Sequence, residues 1–291
     1  MEVNDAIVIA AGIGSRMLPA SLYAPKEFLP MVDIPAIHHL IWEAAKSGVG
    51  RIHLVTSEEK IDFAEKLAVR GKTLISEGVR ADLSDAIMDP FPEDVEFLIH
   101  LQKSQKGVGD AILCALGDID GPCLVLLGDN LLMPKEACDL SKSASEASCA
   151  SLEMVQRYES EGAPLAGIYP VPEGGIPNYG VVELSGGRVV NIVEKPEIAL
   201  APSNMALCGR YVLPPGLKEV LNMESISRMG ELQSIGMLMH YSRECGLVGH
   251  SLEEYKWYDS GNPVEWLRAQ IDHALSRPDL RDQISSWLDL I

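Results

Sequence analysis

The chain of 291 residues lacks the hallmarks of several protein classes. Its six cysteines form no C-x-x-C pair and no cluster with histidine, so a zinc site is disfavoured. No apolar run reaches the ~18 residues that a membrane-spanning helix needs, and residues 1–20 lack the basic start of a signal peptide. We therefore expect a cytoplasmic protein with reduced cysteines and no membrane partner.

Basic residues are also scarce, since 24 Lys and Arg stand against 42 Asp and Glu and give a formal net charge of −18. Nucleic acid is a disfavoured partner because a phosphate backbone requires a basic face. A free nucleotide stays compatible with this charge where a few cations converge. The composition is 47% hydrophobic and 23% charged, which excludes disorder, collagen and coiled coil as descriptions of the whole chain.

The first half alternates short apolar runs with amphipathic segments. One helix is expected between Pro35 and Gly48, and another over 59–69. Such alternation is typical of βαβ units and a largely parallel sheet. The strands are predicted over residues 6–11, 52–56, 95–101 and 123–127.

The second half changes character. Residues 179–184 and 188–193 flank Ser185-Gly186-Gly187, which predicts a β-hairpin. We expect a single α/β domain over 1–291, with a mixed, mostly parallel sheet and inserted hairpins. Further elements are predicted as a strand over 205–213 and helices over 230–241 and 263–276.

Two other segments are also predicted to be helical. Residues 76–88 are expected to form a helix over the site or at an interface. Residues 282–291 are expected to form a short amphipathic helix or a loose tail, with an apolar stripe that covers the core. A subunit interface is the alternative for that stripe, which consists of Ile284, Trp287, Leu288 and Ile291.

The loop after the first predicted strand carries chemically informative residues, and ligands of parallel sheets lie at the carboxyl ends of strands. Gly12 and Gly14 allow backbone amides to converge on an anion. However, Met17 stands where a dinucleotide-binding G-x-G-x-x-G motif needs glycine. Arg16 and Lys26 add cations suited to a triphosphate. An ordinary glycine turn with surface cations is the alternative.

A longer series of motifs resembles the sugar-phosphate nucleotidyltransferase family, and above all its bacterial and archaeal branch that joins UTP to glucose 1-phosphate. The resemblance implies a Rossmann-like three-layer α/β/α fold, a Mg²⁺ cofactor and a homodimer or homotetramer. The matching pieces are Ala10-Ala-Gly-Ile-Gly-Ser-Arg-Met-Leu-Pro-Ala20, Pro25-Lys-Glu-Phe-Leu-Pro30, Gln102 with Lys106-Gly-Val-Gly-Asp-Ala111, Gly128-Asp129, Asn178-Tyr-Gly-Val-Val182, Val193-Glu-Lys-Pro196, Gly209-Arg-Tyr-Val-Leu213 and Asp259-Ser-Gly-Asn262.

By matched position, the resemblance assigns the nucleotide to the half over about 1–135. Arg16 and Lys26 are expected to neutralise the triphosphate and the leaving pyrophosphate. A phosphate oxygen is already a nucleophile at neutral pH, so the reaction needs positioning and charge neutralisation rather than a catalytic triad. The backbone amides expected to hold the nucleotide are those of Ala11, Gly12 and Gly14.

The resemblance also assigns base recognition and the metal. Gln102 and Gly107 are expected to face the pyrimidine, with a surface position as the alternative for Gln102. Asp129 is the expected Mg²⁺ ligand, with capping of the following segment as the alternative. Asp259 is the candidate second carboxylate, or else the start of a turn through Ser260-Gly261.

The sugar phosphate is assigned to the half over about 136–275, followed by a tail over 276–291. Gly180 is expected to let the backbone approach the sugar, Glu194 to accept from its hydroxyls, and Lys195 to bind its phosphate. An ordinary solvated strand end is the alternative for Glu194 and Lys195.

Three alternative functions accompany this resemblance. The first is the same chemistry with dTTP or another sugar 1-phosphate, because one methyl on a base discriminates only weakly. The second is a non-catalytic regulatory protein that binds sugar nucleotides. The third, a dehydrogenase, is weakened by Met17. Residues 233–236 depart from the family pattern, and this puts the sugar preference in doubt.

Overall fold

A nine-stranded mixed sheet forms the centre of the computed structural model, which describes residues 1–69, 91–136, 146–223 and 232–290. Numbered along the chain, its strands are β1 (Asp5–Ile9), β4 (Arg51–Thr56), β5 (Glu96–Leu101), β6 (Cys123–Leu127), β8 (Leu165–Pro170), β9 (Gly180–Ser185), β10 (Arg188–Glu194), β11 (Met205–Leu213) and β12 (Val248–Ser251). They lie side by side in the order β5-β4-β1-β6-β11-β8-β12-β10-β9.

Two small antiparallel sheets and a set of helices complete the described part of the chain. The small sheets pair β2 (Pro30–Met31) with β3 (Ile34–Pro35), and β7 (Asn130–Pro134) with β13 (Tyr255–Asp259). The α-helices are α1 (Ala36–Lys46), α2 (Ile61–Val69), α3 (Val108–Ala115), α4 (Ala150–Glu161), α5 (Leu217–Met223), α6 (Ser234–Glu244), α7 (Pro263–Ser276) and α8 (Arg281–Leu288).

Strand β1 shows why the sheet lies between two helical layers. Ala6 and Val8 belong to a core shared with α1, α2, α4 and α7, whereas Ile7 belongs to a second core with α3, α5 and α6. Successive side chains of a strand point to opposite faces, so an all-apolar run such as this one needs cover on both sides. The three-layer α/β/α arrangement is therefore confirmed.

The sheet is more evenly mixed than the sequence predicted. Strands β5, β4, β1 and β6 are parallel, as expected for the βαβ half. In the second half only β8 and β12 pair in parallel, while the other described neighbours are antiparallel. Parallel and antiparallel neighbours are thus equally frequent along this strand order, because in the second half the chain mostly places strands beside partners that run the opposite way.

Several predicted elements match the structure closely. The strands over 123–127 and 205–213 and the helix over 263–276 agree residue for residue, and the glycine-turn hairpin is formed by β9 and β10. The helix predicted over 230–241 is observed as α6, which runs to Glu244, while residues 230–231 lie outside the described part. The helix predicted over 76–88 also lies outside it.

The expectation that the C-terminal stripe covers the core is wrong. Helix α8 contains no buried residue, and Trp287 keeps 54% of its surface exposed, while Ile291, the last member of the stripe, lies outside the described residues. The reason is that α7 already closes this side of the core with Ala269 and Ala274, so α8 packs on the outside of α7. Within the described ranges, no helix combines the length and apolar character needed to cross a bilayer.

The strand order places a switch point between β1 and β6. From β1 the chain crosses to β4 and β5 on one side, and it then returns to form β6 on the other side of β1. The loops that leave neighbouring parallel strands in opposite directions open a crevice at their carboxyl ends. The loop after β1 and Gly128-Asp129 after β6 both start at this crevice.

A buried ion pair ties the sheet to α1 beneath this crevice. Arg210 on β11 donates from Nε and Nη2 to the two carboxylate oxygens of Glu43, at 2.9 Å each, and both residues are almost fully buried. The hydroxyl of Ser151 donates to Glu43 at 2.6 Å, and Arg210 also donates to the carbonyl of Asn130 at 2.7 Å. The pair thus fixes the start of β7, next to Asp129.

We expect Arg210→Met to lower the free energy of unfolding by about 3–5 kcal/mol, because Glu43 would be left as a buried charge without its partner. Urea unfolding followed by circular dichroism measures this loss. Arg243→Met, on an exposed position of α6, is the matched control with an expected change within about 0.5 kcal/mol. A loss as small as that of the control would contradict the structural role of the pair.

Candidate active site

The loop after β1 is built from short 3-10 turns that present two cations to the crevice. Ser15–Met17 and Lys26–Phe28 each form one such turn. Gly14 precedes the first turn with φ of 73°, and a Cβ there would lie 3.4 Å from the Lys26 side chain. The left-handed backbone is what favours glycine here, since a Cβ at 3.4 Å would only make an ordinary contact with Lys26.

A buried lysine that the sequence analysis missed holds this loop in place. Lys60 donates from Nζ to the carbonyls of Ala10 and Gly12, at 2.9 and 2.6 Å, and to the carboxylate of Glu27 at 2.9 Å. Burial raises the pKa of Glu27, and the charges of Lys60 and Lys26 oppose that rise. A single ammonium thus joins the start of the loop to its end.

Asp129 meets Lys26 at the switch point. Their Oδ2 and Nζ atoms are 2.6 Å apart, and the Asn130 side chain donates to Asp129 Oδ1 at 2.8 Å. Burial by itself would raise the pKa of Asp129, but Lys26 and then Arg16 outweigh it, so the pKa lies below its usual value. The carboxylate is accordingly ionised at neutral pH.

Asp259 meets Arg16 in the same place. The guanidinium donates to both carboxylate oxygens of Asp259, at 2.8 and 3.2 Å. Strand β13 pairs with β7 so that Asp259 lies opposite Asn130, which brings the second carboxylate to the end of the first half. We call Arg16, Lys26, Asp129 and Asp259 the charged quartet.

The two carboxylates of the quartet converge on Gly261. A Cβ at this glycine would lie 3.1 Å from Asp259 Oδ1 and 3.3 Å from Asp129 Oδ2. Among the described residues no three His, Cys, Asp or Glu side chains form a complete metal cage. Two carboxylates with open positions are what Mg²⁺ uses when phosphates and water complete its octahedron.

One cleft opens on the nucleotide side of the quartet, with a volume of about 280 Å³. Five of the predicted site residues line it, four of them predicted for the nucleotide and its phosphates and one for the metal, whereas Ala11, Gly14 and Arg16 do not. Gln105, which the sequence analysis missed, also lines it and donates to the Ala11 carbonyl at 2.7 Å. The five are Gly12, Lys26, Gln102, Gly107 and Asp129.

Gln102 is buried at the wall of this cleft, so the surface alternative is wrong. It follows the end of β5, is 4% exposed and donates from Nε2 to the Gly107 carbonyl at 3.1 Å and to Asp110 Oδ2 at 2.8 Å. Gly107 has φ of 94°, and a Cβ there would lie 2.6 Å from the Leu232 carbonyl. Both the conformation and the space at this position require glycine.

A second cleft of about 190 Å³ opens on the other side of the quartet. Arg16, Asp129 and Asp259 line it together with Gly180 and Glu194. A Cβ at Gly180 would lie 3.2 Å from Glu194 Oε2, so the backbone of the hairpin passes close to that carboxylate.

Lys195 lies outside the lining of the second cleft, and its side chain is 61% exposed. Its Nζ is 3.5 Å from Glu194 Oε1, and its backbone φ is +46°, which is uncommon for a residue with a Cβ. Its role as a phosphate-binding lysine stays a prediction.

The alternatives for the two aspartates have different outcomes. Asp129 caps no helix, because β7 follows it directly. Asp259 does start a turn, since its Oδ1 accepts from the Gly261 amide at 3.1 Å, and it binds Arg16 at the same time. The turn and the ion pair are therefore compatible.

The chain matches the model of the nucleotidyl transferase family over residues 5–274, so it belongs to that family. The resemblance found in the sequence motifs is confirmed. The match covers both halves of the sheet and every member of the charged quartet.

Individual relatives agree in name. The chain is 32% identical to a UTP–glucose-1-phosphate uridylyltransferase of Bacillus subtilis, with 99% of this chain and 97% of that protein covered. It is 30% identical to UTP–glucose-1-phosphate uridylyltransferase 1 of Staphylococcus saprophyticus, with 100% and 99% covered.

Solved structures agree in fold. A UDP-glucose pyrophosphorylase from Acinetobacter baumannii superimposes with a TM-score of 0.83 at 27% identity, covering 99% of this chain and all of that one. A UDP-glucose pyrophosphorylase complexed with UDP-glucose has a TM-score of 0.80 at 26% identity, covering 94% and 100%.

We expect Lys60→Met to destabilise the protein by about 3–5 kcal/mol, because Glu27 loses a buried partner and its pKa rises further. Two loop carbonyls also lose their donor. The affinity for the nucleotide should therefore fall by more than the larger fraction of unfolded protein accounts for. Chemical unfolding and calorimetric titration with UTP measure the two effects. Lys66→Met, an exposed position on helix α2, which begins directly after Lys60, is the control. Unchanged affinity in a folded Lys60→Met protein would contradict the loop-holding role.

Proposed function

We propose that the protein transfers UMP from UTP to glucose 1-phosphate, giving UDP-glucose and pyrophosphate. The observation that carries this proposal is the charged quartet at the junction of two clefts, since Asp129 lines both. A nucleotide in one cleft and a sugar phosphate in the other would bring their phosphates together there. Full-length relatives with this name support the choice of substrates.

The reaction proceeds by in-line attack of the sugar phosphate oxygen on the α-phosphorus of UTP. The new P–O bond forms as the bond to pyrophosphate breaks, and no covalent enzyme intermediate is needed. Arg16 and Lys26 leave their carboxylate partners and bind the phosphates, where they stabilise the charge on the leaving pyrophosphate. The exchange keeps each cation next to an anion throughout.

Asp129 and Asp259 are the residues that would hold Mg²⁺, because their oxygens converge at Gly261. The bound ion supplies neutralisation of the phosphate charges. Release of the two carboxylates from Lys26 and Arg16 makes them available to it, so binding of nucleotide and metal should support each other.

The remaining roles follow the two clefts. Gln102 and Gly107 face the pyrimidine. Glu194 accepts from sugar hydroxyls beside Gly180, and Lys195 turns from the rim towards the sugar phosphate. The backbone amides proposed to hold the nucleotide and its phosphates are those of Ala11, Gly12 and Gly14. Residues 1–135 thus serve the nucleotide and 136–275 the sugar phosphate. A homodimer or homotetramer and a cytoplasmic location stay predictions.

The test is pyrophosphate release with Mg²⁺, crossing UTP and dTTP against the 1-phosphates of glucose, galactose and N-acetylglucosamine. The fastest turnover is expected for UTP with glucose 1-phosphate. Faster turnover of another pair would keep the mechanism and change the substrate. Binding of UTP without release from any pair would favour the regulatory alternative.

We expect Asp129→Asn to reduce kcat at least ~100-fold while the fold is kept, because an amide is a poor Mg²⁺ ligand and cannot balance Lys26. Steady-state kinetics and Mn²⁺ binding followed by electron paramagnetic resonance measure the effect. Asp282→Asn on exposed α8 is the control and should behave as wild type. Full Mg²⁺-dependent activity of Asp129→Asn would remove Asp129 from the mechanism.

A further inference from the structure

We propose that Asp110 fixes the orientation of the Gln102 side-chain amide, so that only its oxygen is offered to the base. Asp110 becomes a specificity-determining residue that excludes cytosine. This inference rests on the proposed function, because it concerns the nucleotide that enters the first cleft.

The orientation follows from the partners of the amide nitrogen. Gln102 Nε2 lies 2.8 Å from Asp110 Oδ2 and 3.1 Å from the Gly107 carbonyl oxygen. An ionised carboxylate and a carbonyl can only accept, so both must face the NH₂ end of the amide. The assignment of nitrogen and oxygen in this side chain is thereby settled by its neighbours.

Both partners are held by the backbone around them. Asp110 lies in the first turn of α3, where a negative charge is favoured by the helix dipole. Gly107 is confined by the Leu232 backbone, and the Leu232 carbonyl accepts from the Gly109 amide at 2.7 Å. The amide of Gln102 therefore has little freedom to turn.

The two N–H groups of Gln102 are thus used within the chain. Its Oε1 accepts no hydrogen bond from a described residue and is not sealed from solvent, although the residue as a whole is 4% exposed. Because Gln102 lines the nucleotide cleft, the polar atom that it offers to a base is an acceptor.

An acceptor at this place distinguishes pyrimidines by the atom at ring position 3. Uracil and thymine carry an N3–H that can donate to Oε1, whereas cytosine carries a lone pair that would repel it. Two buried acceptors that face each other lower the free energy gained on binding. Sites that bind a substrate N–H therefore reject analogues that lack it. The locked amide excludes cytosine and is indifferent to the methyl group of thymine.

We call the two hydrogen bonds that hold the Gln102 amide nitrogen the lock. Replacing Asp110 by Asn weakens this lock and leaves the size of the side chain at position 110 almost unchanged. An Asn side chain can offer its own NH₂ to Gln102 Oε1, which stabilises the reversed amide that suits cytosine. The Gly107 carbonyl still favours the original orientation, so the lock is weakened and not removed. The substitution removes one charge-assisted hydrogen bond, which is worth about tenfold in affinity. We therefore expect the preference for UTP over CTP to change by about that factor.

The experiment measures kcat/KM for UTP and for CTP with glucose 1-phosphate in wild type, Asp110→Asn and Asp110→Ala. Calorimetric binding of both nucleotides is measured beside it. The control is Glu219→Gln, an exposed first-turn acid on α5 away from both clefts. A further probe is the triphosphate of N3-methyluridine, which lacks the donor.

The expected result is that the UTP-to-CTP ratio falls about tenfold in both Asp110 variants, mainly through KM. Glu219→Gln keeps the wild-type ratio, and wild type binds the N3-methyl analogue poorly. If Asp110 had only a structural role, its replacement would lower kcat/KM equally for UTP and CTP. The ratio of the two values would then stay unchanged, which would overturn the proposal. Tight binding of the N3-methyl analogue to wild type would also overturn it.

Failure of the proposed function is recognised separately. If wild type releases no pyrophosphate with either nucleotide, the reaction is wrong, but the binding ratio of UTP to CTP still tests the lock. A wild-type preference for UTP in binding that Asp110→Asn reduces would support the lock even then. Equal binding of UTP and CTP by wild type would refute it.

Discussion

The site depends on mutual neutralisation of two cations and two carboxylates at the switch point of the sheet. Two ion pairs lie in this crevice, Lys26 with Asp129 and Arg16 with Asp259. The side chains of Lys26 and Asp259 are largely buried there. These two groups would therefore be costly to leave without a partner. A triphosphate offers new partners of opposite charge to the two cations, and a divalent cation offers one to the two carboxylates.

The rest of the fold brings these four groups together from distant parts of the chain. Gly128 allows β6 to end against the Ile9 carbonyl, which a Cβ would approach to 2.4 Å. Register between β7 and β13 sets Asp259 opposite Asn130. Buried charges support the site from below, with Lys60 under the first loop and Arg210 under the start of β7. Stability and function therefore draw on the same buried polar contacts.

Periodicity and turn residues predicted most of the described elements, because short apolar strands and proline- or glycine-bounded helices are local properties of a chain. The resemblance of the motifs to the family predicted each member of the quartet, but not which cation pairs with which carboxylate. Lys60 and Gln105 were missed, since each resembles an ordinary surface residue in sequence. The C-terminal stripe was misjudged because an amphipathic pattern does not say whether another helix already covers the core.

The sequence by itself determined the α/β class, the strands of the first half, the glycine positions and the identity of the charged groups. These features depend on side-chain size, backbone freedom and charge, which are properties of individual residues. Only the tertiary structure decided which cation pairs with which carboxylate, which partners the Gln102 amide nitrogen has, and that the Lys195 side chain is largely exposed. Those outcomes depend on distances between residues far apart in the chain, which the packing of the sheet and helices sets.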